Sequence, residues 1–223
     1  MATKPTPRID RRKLKQPDEF ITLTSRAIKY VQIHRARVVA AVVGVLLIVV
    51  LVVAYRQYRT RQEDKAAVLV SQATEAFAKD PTQSAPFERV LRAYPGTQGA
   101  RLARLYLGHV FYRRGEADKA AKVYGALVED SATQEPILSR AILGQGYALI
   151  ALKRCEEAET AFGRLSSAQP LSQQEAFLAV GRCFELRGDR QAAFERYRQF
   201  AQKFPASPFL TEAFRSRIGV LRK

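Results

Sequence analysis

Three stretches of this chain repeat one another class for class, and that repetition limits the fold more than any other feature of its 223 residues. The blocks are LGHVFYRRGEADKAAKVYGAL from Leu107, QGYALIALKRCEEAETAFGRL from Gln145 and VGRCFELRGDRQAAFERYRQF from Val180. Small residues recur at Gly108, Gly146 and Gly181, and three positions on come Phe111, Leu149 and Phe184. Ala120, Ala158 and Ala193 follow, then Tyr124, Phe162 and Tyr197, then Leu127, Leu165 and Phe200. Corresponding positions lie 38 and then 35 residues apart, and a closing proline recurs as Pro95, Pro170 and Pro205. Helical spacing inside each block argues two helices per unit, with small residues where they approach. Gly115 and Gly188 fall between the two halves, where a turn calls for positive φ, but the middle block has Lys153 there.

These residues resemble the tetratricopeptide repeat, a helix–turn–helix unit of about 34 residues. The resemblance implies an all-α chain whose larger part, residues 56–223, is an α-solenoid. Full repeats are expected at about 101–134, 139–172 and 174–207. FERVLRAYP (Phe87 to Pro95) matches the end of a repeat, so 63–95 reads as a degenerate first unit with Glu63–Lys79 as its first helix. Phe209, Ala213, Ile218 and Leu221 suit a capping helix over 208–222. Gln145 departs from the pattern, which favours Leu there.

Such solenoids offer a concave surface lined by first helices. By the repeat's usual geometry the residues facing it are Leu105, His109 and Tyr112, then Leu143, Tyr147 and Ile150, then Leu178, Arg182 and Glu185. The chaperone-binding version of the repeat clamps a terminal carboxylate with basic and amide side chains. Leu105, Leu143 and Leu178 stand instead in this sequence, so the clamp pattern is missing. An apolar, aromatic groove suits a helix or unfolded segment of a protein partner. The alternative is that helix 63–79 or the cap covers these positions.

Ahead of the repeats, Val38 to Tyr55 is a run of 18 residues without a charge, flanked by Arg35 and Arg37 before it and Arg56, Arg59 and Arg61 after it. As a helix it is roughly 27 Å long. That suits a hydrocarbon core of about 30 Å with arginines snorkelling at the ends. A soluble core helix keeps a polar face, and this run has none. The expectation is one transmembrane helix over 38–55. It reads as a retained signal anchor, because 37 residues precede it and no A-x-A-like site follows. Residues 1–37 carry ten Lys/Arg and three Asp/Glu. The cluster Arg11, Arg12, Lys13 and Lys15 places this tail in the cytoplasm and the repeats outside. Residues 1–16 have the composition of a disordered segment. Pro17-Asp18-Glu19 then opens an amphipathic helix over about 18–33, with Phe20, Leu23, Ala27, Ile28 and Val31 on one face.

The formal net charge is +16. A nucleic-acid reading fails because the tail's charge is the positive-inside signal, and the domain's basic residues alternate with acids along helices. Two histidines, His34 and His109, and two distant cysteines make no metal site or nucleophile–base pair, and no catalytic motif is present. The chain is therefore read as no enzyme, with no cofactor, no metal and no small-molecule substrate. Cys155 and Cys183 are expected to be free or buried thiols, since the repeat register does not obviously bring them together; the alternative, in a periplasm, is one disulfide between them.

A basic tail with KQPDEFITLT, one span and a small degenerate repeat domain together resemble the YfgM-like ancillary subunits of the bacterial SecYEG translocon. The resemblance implies an inner-membrane protein whose partners are the Sec translocon subunits and a membrane-anchored periplasmic chaperone. Its repeats would bind emerging chains non-covalently. A scaffold for envelope assembly or cell division, or a sensor regulated through its tail, remains the alternative.

Overall fold

The computed structural model describes residues 32–165 and 170–221. They are helical and contain no strand among the described residues. The helices are α1 (Arg35–Lys79), α2 (Ala85–Ala93), α3 (Gln98–Arg113), α4 (Ala117–Glu129), α5 (Ile137–Ala151), α6 (Cys155–Phe162), α7 (Pro170–Arg187), α8 (Arg190–Lys203) and α9 (Glu212–Leu221). The chain divides into two units, Met1–Tyr58 and Arg59–Lys223. In the first, α1 carries a stretch long and apolar enough to cross a membrane, and none of it is buried within the structure. The expected amphipathic helix at about 18–33 lies outside the described residues, apart from its last two positions.

In the second unit, α3–α4, α5–α6 and α7–α8 pack as antiparallel pairs. Helix α3 also touches α5, and α5 touches α7, so the first helices of the pairs form one continuous row. The turn inside each pair is built three times in the same way. Gly115 N–H donates to Tyr112 C=O and Glu116 N–H to Phe111 C=O. Lys153 donates to Ile150 and Arg154 to Leu149, and Gly188 donates to Glu185 and Asp189 to Phe184. This is the Schellman arrangement, which needs a left-handed residue just past the helix. Gly115 and Gly188 adopt φ of 75° and 87°, and Lys153 adopts 59° despite its Cβ. The middle turn keeps its geometry because the same two carbonyls are satisfied, at the cost of left-handed backbone on a non-glycine residue.

Close packing within pairs follows from the glycines. A Cβ on Gly108 would come within 2.5 Å of the Tyr124 ring, and those on Gly146 and Gly181 would overlap Phe162 and Tyr197. Tyr124, Leu127, Tyr197 and Phe200 are buried outright, and Phe162 and Leu165 nearly so. Each such side chain contributes about 1.5–3 kcal/mol on burial. At the N-terminal end, Val70 and Ala73 of α1 form a separate cluster with Phe87, Val90, Ala103, Leu107 and Val110. There the α3 N-terminus is capped twice. Thr97 Oγ1 accepts from Ala100 N–H at 3.0 Å, and Glu63 of α1 accepts from Gln98 N–H at 2.8 Å.

One expectation is overturned here. Cys155 and Cys183 form a disulfide, with Cα atoms 5.7 Å apart, and both are fully buried. Cys155 opens α6 and Cys183 lies in the C-terminal third of α7. Because α6 packs on α7, the second helix of one pair is stapled to the first helix of the next.

Candidate functional site

Between α3 and α5 the row of first helices opens into a cleft of about 410 Å³, lined by His109, Tyr112, Tyr124, Arg140, Leu143, Gly144 and Tyr147. Its floor is set by Tyr124, which rises from α4 into the space left by two glycines, Gly108 on α3 and Gly144 on α5. The Tyr124 hydroxyl lies 2.6 Å from His109 Nδ1. Burial pushes the Tyr124 phenol far above its ordinary range, so it stays protonated and can donate to the imidazole. Burial also pulls the His109 pKa below 6.5, helped by the positive charges of Arg140 and Arg113, so the ring is neutral at pH 7. Its other side meets Tyr106 edge-on, with centroids 5.7 Å apart. Tyr147 stands on Phe162 in the same manner at 5.6 Å. Tyr112 and Tyr147 nevertheless keep 43% and 37% of their surface exposed. The cleft thus has an aromatic wall held from behind and an open, polar rim.

The expected concave positions separate into three groups. His109, Tyr112, Leu143 and Tyr147 line this cleft together. Leu105 and Leu178 do not line this cleft: both are buried in the main core. They point between helices because the aromatic of each second helix needs an apolar neighbour there. Ile150 is partly buried against the same core. Arg182 and Leu178 line a different cavity, of about 320 Å³, closed by Phe209, Phe214 and Arg217 from the C-terminal end. Glu185 is engaged as well. It accepts from the Tyr197 hydroxyl at 3.0 Å and from Arg217 of α9 at 2.6 and 3.0 Å. The C-terminal helix therefore covers the third unit's share of the concave row, whereas no lining residue of the α3–α5 cleft comes from α1 or α9. Tyr124, Arg140 and Gly144 complete the cleft without having been anticipated as lining residues. Arg140 and Gly144 were accessible to sequence reasoning, since 140, 143, 144 and 147 share one helical face.

Of the arginines expected to flank a span, Arg35 and Arg37 begin α1, and Arg56 and Arg59 lie beyond its apolar stretch. Among the described residues, no group of three or more His, Cys, Asp and Glu side chains is arranged to hold a metal.

A family model for the tetratricopeptide repeat-like domain matches residues 29–206. The chain belongs to the tetratricopeptide repeat-like family. The matched segment takes in the apolar run as well as all three helical pairs. No curated protein and no solved structure matches the chain. Tetratricopeptide repeat-like domains are scaffolds for protein–protein interaction rather than catalysts. The α3–α5 cleft is a concave, aromatic and open part of this one.

Proposed function

We propose that this chain is a membrane-anchored protein-interaction module whose repeats work on the periplasmic side of a bacterial inner membrane, beside the Sec translocon. The span at 38–55 holds the domain near emerging chains, and Arg35, Arg37, Arg56 and Arg59 fix its ends in the headgroups. Tethering raises the local concentration of the cleft for a partner without any covalent step. Its partners are translocon subunits and a membrane-anchored periplasmic chaperone, and the 1–37 tail stays in the cytoplasm.

The observation that carries the orientation is the buried disulfide between consecutive repeats. Such bonds persist in oxidising compartments and are rare in the cytosol. A disulfide C-terminal to a helix able to cross a membrane supports a repeat domain on the outer face. The same-chain combination of an exposed apolar helix and an interaction fold supports a tethered scaffold.

The test is copurification of the full chain in mild detergent, with mass spectrometry of what accompanies it. Translocon subunits and a periplasmic chaperone should be recovered, and Tyr147→Glu should release them. Loss on neutralising Arg11, Arg12, Lys13 and Lys15 instead would make the tail the binding element. Recovery of envelope-assembly or division proteins without the translocon would refute the translocon role.

A further inference from the structure

We infer that the α3–α5 cleft selects a partner segment presenting a carboxylate beside an aromatic or branched apolar side chain. The inference rests on the reading of this cleft as a protein-binding surface and adds the chemistry of what it binds.

The argument is one of unsatisfied charge. Several arginines that cross between helices of this domain meet carboxylates. Arg101 pairs with Asp130, Arg164 with Glu129, Arg187 with Glu156, and Arg217 with Glu185. Arg196 of α8 likewise reaches Glu159 of α6. Around the cleft that pattern stops. Arg140 lies in its lining, and Arg113 and Arg182 stand on the same row of first helices. Among the described residues none of the three is seen in an ion pair, and all three are exposed. The charges that act on His109 are Arg140 and Arg113. Those that act on Tyr147 are Glu175, which opposes its ionisation, and Arg182, which favours it.

Below this positive rim lie Leu143 and the half-exposed rings of Tyr112 and Tyr147. A guanidinium above an apolar floor pairs well with a carboxylate, because the apolar contacts exclude water from the charge-assisted bond. A purely apolar segment would leave Arg140 partly desolvated and unpaired, which costs affinity. A basic segment, such as this chain's own tail with its Arg11-Arg12-Lys13 cluster, would meet like charge. Selectivity thus arises from attraction to one class and repulsion of another.

The experiment is selection of a random dodecapeptide phage library on the full-length chain in detergent micelles, followed by affinity measurement of the enriched synthetic peptides. Enriched peptides should carry Asp or Glu close to Phe, Leu, Ile or Tyr. Arg140→Gln should weaken them about tenfold, a difference of about 1.4 kcal/mol. Converting the peptide's acid to its amide should weaken them equally, and the two changes together should add little more. Arg140 is exposed, so its variant tests binding without disturbing the core. Peptides that are lost in Tyr147→Ser but lack an acid, or ignore Arg140→Gln, overturn the charge pairing and leave the protein-binding reading standing. If no enriched peptide depends on Tyr112 or Tyr147, that reading falls with it. A concentration-dependent dimer that Tyr147→Ser dissolves would make a second copy of the chain the occupant and would equally refute the inference.

Discussion

Breaking the Cys155–Cys183 bond should loosen the junction between the second and third helical pairs by an amount that can be worked out in advance. The bond closes a loop with a sequence separation of 28. Chain-entropy arguments give about 12 cal/mol/K for a loop of that size, or about 3.6 kcal/mol at 25 °C. For a domain of this length one kcal/mol moves the midpoint by about 2–4 °C. Loss of the bond should therefore lower the melting temperature of the repeats by about 7–14 °C. The cleanest comparison keeps the sequence constant. The full chain is unfolded with or without a reductant, refolded in the same state and melted while helix ellipticity is followed. Hydrogen exchange should show the loss concentrated in α6 and α7, since each unit contacts only its neighbours. Melting temperatures within 2 °C of each other would refute the reasoning, because the junction would then be held by packing alone. So would recovery of two alkylated thiols from chain unfolded without reductant.

Other consequences follow from residues already described. Lys153→Gly should stabilise the domain by about 0.5–1 kcal/mol in denaturant titrations, because it removes a left-handed non-glycine residue. Gly188→Ala should cost about 1–2 kcal/mol from backbone strain alone, as no atom lies within 4 Å of its would-be Cβ. Gly146→Ala, by contrast, drives a methyl into the Phe162 ring and should cost about 1–3 kcal/mol by the same titration. His109 binds a proton less readily folded than unfolded, so its contribution is complete above pH 6.5 and declines as the pH falls below that value. Stability measured from pH 8 to pH 5 should show this decline, and His109→Gln should flatten it.

Much of the fold was legible because helix pairing leaves local marks. The glycines of the first helices and the aromatics of the second are complementary in shape, so their register could be read without knowing where the helices sit. The turn residues were legible for the same reason, and even Lys153 follows the hydrogen-bond pattern of its glycine counterparts. What the sequence hid lies between units. Cys155 and Cys183 occupy different positions within their repeats, and only the packing of α6 on α7 makes them neighbours. Glu185 and Arg182 occupy positions that usually face the groove, but the C-terminal helix takes that space, and its Arg217 reaches back to Glu185. Leu105 and Leu178 illustrate a finer limit. A first helix has positions at the border of groove and core, and neighbouring bulk decides which way they face.

The carboxylate of Glu63 on the Gln98 amide, with Val70 and Ala73 beside Phe87, has a consequence for proteolysis if the chain is anchored as proposed. A protease cutting just ahead of Arg59 would shed a soluble body that keeps its N-terminal cluster and the doubly capped start of α3. One cutting in the short link between α1 and α2 would shed a fragment without those residues, with Phe87 and Val90 uncovered and ready to aggregate. On the proposed anchoring, the position of the cut thus decides between a diffusible scaffold and a degradation intermediate.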